Sequence, residues 1–212
     1  MKKHFILAVM IFFLCGCSNI NKSSIKKIAD DAINSKRNYS NTVRVGYKYY
    51  KPIQMSVIES TDYNEVLRSN DNLYYLYIDI VSYYNKKNNN YEENDISYYS
   101  KKIGTKDNTG YIEINELKDN QYLIEIMYNY AKIEVMVDKR SIKEAVAYSI
   151  SILSSVKYND VVINNTLGKD VFNTYEESID LFTKKGKDSN TLKYVEDTRY
   201  DKDIIPDMDL VN

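Results

Sequence analysis

The residue types that do most nucleophilic and metal chemistry are scarce in this chain and lie near its N terminus. The 212 residues contain one histidine, His4, and two cysteines, Cys15 and Cys17. Cys17 follows a short apolar run that begins after two lysines. A cysteine thiol can be acylated, oxidised or bound to metal, and its surroundings decide which of these occurs.

The first 17 residues have the layout of an export signal. Lys2 and Lys3 form a basic start, and the apolar run Phe5–Leu14 follows it. Ten apolar residues are too few to span a bilayer, which takes roughly 20. The ending Leu14-Cys15-Gly16-Cys17 resembles the lipobox of bacterial lipoproteins. An ordinary secretory signal and a short retained anchor are the alternative interpretations.

The lipobox resemblance implies cleavage before Cys17 and attachment of acyl chains such as palmitate to that residue. Residues 1–16 are then a signal peptide. Each buried CH₂ of an acyl chain contributes about 0.8 kcal/mol, so two or more chains hold a protein on a membrane almost permanently. The expected location is the extracytoplasmic side of the cell membrane.

Loss of the signal peptide limits the available chemistry. The remaining 196 residues contain no histidine, no tryptophan and one cysteine, so no disulfide can form within one chain. Ser-His-Asp and Cys-His catalysis are excluded, and zinc sites rely mainly on the same residue types. A pair of carboxylates acting on a glycan survives this argument. No cofactor and no metal site is predicted.

Neither the net charge of the chain nor its acidic C terminus predicts a further binding site. With 27 basic and 30 acidic residues after Cys17, and no clustered basic face, the chain is not expected to bind nucleic acid. Calcium could in principle take oxygen ligands from the tail, but the glycine and glutamate spacing of an EF-hand loop is absent. The acidic residues concerned are Asp197, Asp201, Asp203, Asp207 and Asp209.

The predicted organisation is a tether over residues 17–40, one globular domain over 41–190 and a polar acidic tail over 191–212. Apolar residues from Ile25 to Ile33 recur at helical spacing, which predicts a short amphipathic helix capped by Ser23 or Ser24. We expect that helix to dock on the domain, and a helix that binds a partner is the alternative.

Period-2 alternation predicts strands from Thr42 to Val137. The longest is Leu73–Tyr84, and the polar segment Asn85–Asp95 is predicted to be a solvated connection. Apolar residues change parity near the end of the region, which predicts a bulge or sharp bend at Asn129–Ala131. The other predicted strands are Val43–Tyr49, Ile53–Val57, Ile96–Ile103, Tyr111–Leu117 and the run from Gln121 onward.

Two helices are predicted after the strands. Ser141 and Glu144 have the spacing of a capping box, with a buried stripe running from Ile142 to Val156. A second box at Thr174–Glu177 starts a helix that ends near Gly186, and Val161–Ile163 is predicted to be a short strand. This order indicates an α+β fold, in which an antiparallel β-sheet of about six or seven strands is covered by two or three helices.

The element order over residues 41–186 resembles that of PsbP-like α/β/α sandwich domains, a group with lipid-anchored bacterial members. The resemblance rests on the order of strands and helices and includes no diagnostic motif. It implies a non-catalytic accessory or binding role.

A candidate binding face follows from the predicted strand Leu73–Tyr84. Its more aliphatic face, from Tyr74 to Ile80, is expected to lie under the helix Ile142–Val156. The other face is a candidate surface for stacking on sugars or anchoring a partner, and burial of that face is the alternative. The residues concerned are Tyr75, Tyr77, Asp79 and Tyr83.

The expected function is that of a non-catalytic binding or accessory module of the cell envelope, with membrane lipid as one partner and an envelope protein or wall polymer as another. A carboxylate-dependent glycan-acting enzyme and a ligand-delivery lipoprotein for a transporter are the alternatives.

Overall fold

A computed structural model describes residues 20–35, 39–87, 89–105 and 108–167. The chain divides into two units, Met1–Ser178 and Ile179–Asn212, and all described residues belong to the first. The predicted signal peptide, the helix predicted at Thr174 and the acidic tail lie outside the described residues. Within them, no helix is both long enough and apolar enough to cross a membrane.

The described residues form an α+β fold, as the sequence predicts. The strands are β1 (Thr42–Val43), β2 (Tyr47–Tyr49), β3 (Ser56–Ser60), β4 (Asn64–Ser69), β5 (Asn72–Ile78), β6 (Tyr99–Gly104), β7 (Thr109–Glu116), β8 (Gln121–Tyr128), β9 (Ala131–Asp138) and β10 (Lys157–Tyr158). The helices are α1 (Ile25–Asn34), α2 (Ile80–Asn85), α3 (Ile142–Leu153) and α4 (Asp160–Leu167), with single 3₁₀ turns at Ile20–Lys22 and Lys118–Asn120.

Seven strands form one antiparallel sheet in the order β3-β4-β5-β9-β8-β7-β6. The remaining three form a small sheet in the order β1-β2-β10. The register of the large sheet aligns apolar residues across four central strands: Tyr74, Val135, Ile124 and Ile114. Side chains alternate between the two faces of a strand, so these residues share one face, which we call the helix face.

The helix face is covered by α3, which packs on β8 and β9, and by α1, which packs on α3 and β6. Ile28 and Ala29 of α1 are buried in the same core as the strands, so the helix docks on the domain as predicted. Burial raises the pKa of Tyr74, and the carboxylate of Glu144 in α3 adds to the rise. Tyr74 and Leu76 of β5 are buried in the same core as Ala145 and Val146 of α3.

The small sheet contacts the helix face at β4 through a buried carboxylate. Glu65 accepts hydrogen bonds from Arg44 Nη2 at 2.8 Å, the Tyr47 hydroxyl at 2.9 Å and the Tyr49 hydroxyl at 3.0 Å. Both tyrosines are buried, and burial is the main reason that the pKa of each is raised. Three donors replace the water that the carboxylate loses, which makes its burial tolerable.

Helices α1 and α3 differ in how their N termini are capped. Ser24 caps α1 as predicted, with its hydroxyl accepting from Lys27 N at 3.2 Å. At α3, Ser141 occupies the cap position but its side chain makes no capping hydrogen bond, so the predicted capping box is wrong. Asp138 instead accepts from Ser141 N at 2.9 Å, and hydrogen bonds from Ser141 hold the pKa of Asp138 below its usual range.

Several predicted strands need correction. The segment predicted as the strand Ile53–Val57 begins with a turn, and strand β3 starts only at Ser56. Val43–Tyr49 is two short strands, because the chain turns at Gly46, where φ is +83°. Leu73–Tyr84 ends as a strand at Ile78, and helix α2 follows. Val161–Ile163 lies within α4, so the short strand predicted there is wrong.

The predicted sharp bend after β8 is confirmed as a two-residue hairpin turn. Asn129 and Tyr130 have φ values of 53° and 57°, and Tyr128 pairs directly with Ala131. Positive φ at both central residues is the geometry of a type I′ turn, whose twist suits an antiparallel hairpin.

Candidate functional site

The predicted face of Tyr75, Tyr77, Asp79 and Tyr83 does not exist as one surface. Tyr75 and Tyr77 lie on the same face of β5 and are both half-buried. Asp79 follows the end of the strand and caps α2, accepting from Ser82 N at 2.7 Å. Tyr83 belongs to α2. The correction follows from the carboxylate cap, which begins a helix where the sequence pattern predicted a continuing strand.

Tyr83 packs between other elements. Its ring stacks on Tyr158 with a centroid distance of 3.8 Å and meets Tyr130 edge-on at 5.6 Å. Its hydroxyl donates to Asp160 at 2.7 Å, and Lys86 Nζ lies 3.7 Å from the ring centroid. Burial and the Asp160 carboxylate raise the pKa of Tyr83 to about 12. These contacts join α2 to β10 and α4.

Tyr75 and Tyr77 border a row of buried glutamates on the face opposite the helix face, which we call the outer face. Tyr75 is directly opposite Glu134, and Tyr77 is opposite Lys132. The same register places Glu125 beside Glu134, and Glu113 beside Glu125. We call Glu113, Glu125 and Glu134 the glutamate row.

The glutamate row is almost completely removed from solvent. Glu125 and Glu134 are each 1% exposed, and Glu113 is 5% exposed. Like charges directly opposite one another in a sheet destabilise it, and burial of an ionised carboxylate adds a large cost. The row therefore needs hydrogen-bond donors, protonation of one or more carboxylates, or both.

The donors come from tyrosine, asparagine and lysine side chains. Lys132 Nζ lies 3.0 Å from Glu134 Oε1, and the Tyr111 hydroxyl donates to Glu125 Oε1 at 2.5 Å. Glu113 accepts from the hydroxyl of Tyr91 at 2.6 Å and from Asn115 Nδ2 at 3.0 Å.

The row also contains a group that titrates near neutrality. Burial raises the pKa of the Glu134 carboxyl to about 7, because desolvation disfavours its charged form. Lys132 opposes this rise, while Glu125 adds to it by charge repulsion and by a hydrogen bond. The neighbouring Glu125 carboxyl therefore favours the protonated form of Glu134.

The chain between α2 and β6 covers one half of the outer face. The Tyr91 ring stacks on Tyr111 with a centroid distance of 3.9 Å and an interplanar angle of 3°. Its hydroxyl is 2.7 Å from Ser100 Oγ, and Ser97 Oγ donates to Asn115 Oδ1 at 3.0 Å. The prediction that Asn85–Asp95 is simply a solvated connection is therefore wrong at Tyr91, which is half-buried on the sheet.

The other half of the outer face is more open. Tyr75 and Tyr77 are half-buried there, together with Val66 on β4, Leu73 on β5 and Met136 on β9. The surface combines aromatic rings with aliphatic side chains, and the Tyr77 hydroxyl itself is buried. Such a surface can stack on a sugar ring or anchor a protein partner. That binding role remains a prediction.

The glutamate row contains a carboxyl with a raised pKa, but burial in the sheet keeps substrates away from it. A carboxyl that titrates near pH 7 is suited to general acid–base catalysis. With 1% exposure, however, neither Glu125 nor Glu134 is accessible to a substrate while the sheet and its cover stay in place. Across the described ranges, no group of three or more His, Cys, Asp or Glu residues is arranged to hold a metal ion.

The glutamate row has a sequence signal that the strand analysis missed. Each of three successive strands carries a glutamate between two β-branched residues: Ile112-Glu113-Ile114, Ile124-Glu125-Ile126 and Ile133-Glu134-Val135. A charge at the centre of an apolar strand, repeated in neighbouring strands, indicates that the strands share a polar row. No known protein-family model matches the chain, and no curated protein matches it in sequence.

Proposed function

We propose that this protein is a lipid-anchored extracytoplasmic lipoprotein that acts as a non-catalytic binding or accessory module of the cell envelope. The observation that carries the proposal is the sequence Leu14-Cys15-Gly16-Cys17 at the end of a short apolar run. The absence of histidine after His4 supports the non-catalytic part, because it removes the commonest general base.

The proposed binding surface is the open half of the outer face, centred on Tyr75 and Tyr77. Two half-buried tyrosines at alternate positions of one strand present rigid rings side by side. An envelope protein or a wall polymer is the proposed partner, since both carry groups that aromatic rings and hydroxyls recognise.

Lipid anchoring is tested by replacing Cys17 with serine in cells grown with a labelled fatty acid. The wild-type protein should carry the label and sediment with membranes. The Cys17→Ser variant should be unlabelled and should either leave the membrane or persist as a precursor that retains residues 1–16. Absence of label from the wild-type protein would refute the anchor.

The binding surface is tested by a Tyr75→Ser/Tyr77→Ser double variant, with Tyr39→Ser as the matched control because Tyr39 is 61% exposed and lies before β1. Binding to purified wall fragments, and crosslinking to envelope proteins in cells, should fall at least tenfold in the double variant only. A stability loss of about 3–5 kcal/mol, as for truncation of a core aromatic, would instead identify the pair as packing residues.

A carboxylate-dependent glycan-acting enzyme is the second candidate. The Glu125–Glu134 pair supplies two adjacent carboxyls, but both are buried, so a substrate could reach them only if the cover of the outer face moved. Release of reducing ends from wall glycan by the purified protein, abolished by Glu134→Gln and by Glu125→Gln, would establish that activity. No release by the wild-type protein would leave the binding module as the better description.

A further inference from the structure

The start of the described chain is fixed at one end of the domain. The 3₁₀ turn Ile20–Lys22 contacts α3. Ile20 lines a cleft at the first turn of that helix, together with Arg140, Ser141, Glu144 and Tyr148. The fold therefore holds Ile20 against the β9–α3 turn.

Only Ser18 and Asn19 separate Cys17 from Ile20. Three residue steps of fully extended chain span at most about 11 Å. If acyl chains on Cys17 enter a bilayer, Ile20 lies within that distance of the membrane surface. The end of the domain that carries Ile20 must then face the lipid.

Exposed basic side chains lie at this end. Lys139 and Arg140 form the turn between β9 and α3, and the side chain of Arg140 is 93% exposed. Lys118 is exposed in the neighbouring hairpin turn, because Gln121 at the start of β8 pairs with Asp138 at the end of β9.

The acidic groups at the same end are partly engaged. Asp138 accepts from Ser141 N and also lies 3.5 Å from Arg140 Nη2. Glu116 accepts the Tyr122 hydroxyl at 2.8 Å, and Glu144 is half-buried in the cleft. Asp119 is exposed beside Lys118. The basic side chains therefore orient the domain by local contacts, and the acyl chains must supply most of the affinity.

Apolar and aromatic side chains adjoin the basic ones. Tyr98 is 46% exposed and Ile96 is 51% exposed, and both lie just before the edge strand β6. Tyr98 meets Tyr122 edge-on at 5.0 Å, and Lys139 Nζ lies 5.8 Å from the Tyr98 ring centroid. Tyrosine beside lysine or arginine is the combination found where proteins meet the headgroup region of membranes.

We propose that Ile20, Ile96, Tyr98, Lys118, Lys139 and Arg140 form a docking surface for the headgroups of an anionic phospholipid bilayer. The proposal rests on the lipid anchoring proposed above and adds an orientation to it. Strand β8 has eight residues and leads away from this surface over roughly 25 Å. The turn at Asn129, helix α4 and Val161 lie at the far end, where partners in the envelope can reach them.

The orientation is tested with the acylated protein in vesicles of phosphatidylglycerol and phosphatidylcholine. A fluorophore is attached to a single introduced cysteine, either Lys118→Cys or Val161→Cys, and a nitroxide on the lipid headgroup quenches it. The wild-type Cys17 thiol is blocked by acylation and does not react. Quenching at position 118 should exceed quenching at position 161 at least threefold, and equal quenching would overturn the docking surface.

Headgroup recognition is tested in the same vesicles by charge reversal. Lys139→Glu with Arg140→Glu should reduce quenching at position 118 by about half or more. Lys48→Glu with Lys87→Glu, two exposed lysines at the far end, is the matched control and should have no effect. An unchanged signal in the first variant would refute recognition of anionic headgroups.

Failure of the anchor and failure of the docking surface give different results. A chain without acylation does not float with vesicles, which refutes the anchor. The quenching comparison is then made with a hexahistidine segment in place of Cys17 on vesicles that contain a nickel-chelating lipid. Equal quenching at both positions in that arrangement refutes the docking surface independently of the anchor.

Discussion

Glu134 gives the domain an unusual dependence of stability on pH. Burial raises the pKa of this carboxyl from 4.5 to about 7 in the folded chain. Between these two values the unfolded chain releases the proton while the folded chain keeps it. The free energy of unfolding therefore falls as the pH rises from 4.5 to 7, and the contribution is fully present only below pH 4.5.

The magnitude follows from the size of the pKa shift. A shift of one unit corresponds to 1.36 kcal/mol, so the rise to about 7 corresponds to a loss of about 3 kcal/mol between pH 4.5 and pH 7. Glu134 is 1% exposed, so screening by solvent reduces this little. Hydrogen bonds hold the pKa values of Glu93 and Asp138 low, and such carboxyls are already ionised in both states across most of this range.

Urea unfolding of residues 18–212 between pH 5 and pH 8, followed by circular dichroism, measures the effect. The wild-type chain should lose stability as the pH rises. Glu134→Gln cannot titrate and should remove most of the slope, while Glu59→Gln, an exposed glutamate on β3, should leave it unchanged. Wild-type stability that is flat or rises from pH 5 to pH 7, or an unchanged slope in Glu134→Gln, would refute the reasoning.

Two further substitutions test the packing that positions the outer face. Glu65→Gln removes the charge that three donors surround and should cost about 3 kcal/mol of unfolding free energy, because Arg44 loses its buried partner; a cost below 1 kcal/mol in urea unfolding would contradict this. Gly110→Ala should disrupt the β7–β8 pairing, because its Cβ would overlap the main-chain carbonyl of Met127. We expect a loss of about 2 kcal/mol or more, whereas Thr109→Ala, at an exposed neighbouring side chain, should be near neutral in the same assay.

The sheet from β6 to β9 was predictable because local pattern and tertiary environment agree there. Alternation of apolar residues matches a sheet with one face under helices, and the parity change at Asn129–Ala131 marks the hairpin turn. Helix α3 was equally clear, since its apolar stripe matches the face buried on β8 and β9. The capping interaction at the start of α3 was not predictable, because the hydrogen bond from Ser141 N to Asp138 depends on how β9 ends.

The end of β5 was not predictable from pattern alone. Ile80 and Val81 extend the apolar alternation, and β-branched residues favour a strand. The chain becomes helical because Asp79 caps Ser82 N and because the Tyr83 ring packs on Tyr158 of β10 and Tyr130 of the β8–β9 turn. Those contacts are distant in sequence, so the candidate face lost Asp79 and Tyr83 for reasons that lie outside the segment itself.

The glutamate row was missed because a pattern within one strand says nothing of its neighbours. Taken alone, a strand with a glutamate between two β-branched residues has one polar and one apolar face. That pattern predicts a solvated glutamate side chain. Register brings Glu113, Glu125 and Glu134 into line, and Tyr91 then covers one end of the line. The cover comes from a polar segment whose composition indicates exposure.

The order of strands in the large sheet has a consequence for how the chain folds. Strands β6 to β9 form one run of hairpins and β3 to β5 another, and β5 joins them by pairing Tyr74 with Val135. Each hairpin closes a short loop, whereas the joining pair closes a loop of about 60 residues, which makes it the slow step for a sheet of this connectivity. We therefore expect amide hydrogens of β7 and β8 to gain protection early in refolding, before those of β4, and the outer face to become continuous only when the two runs join.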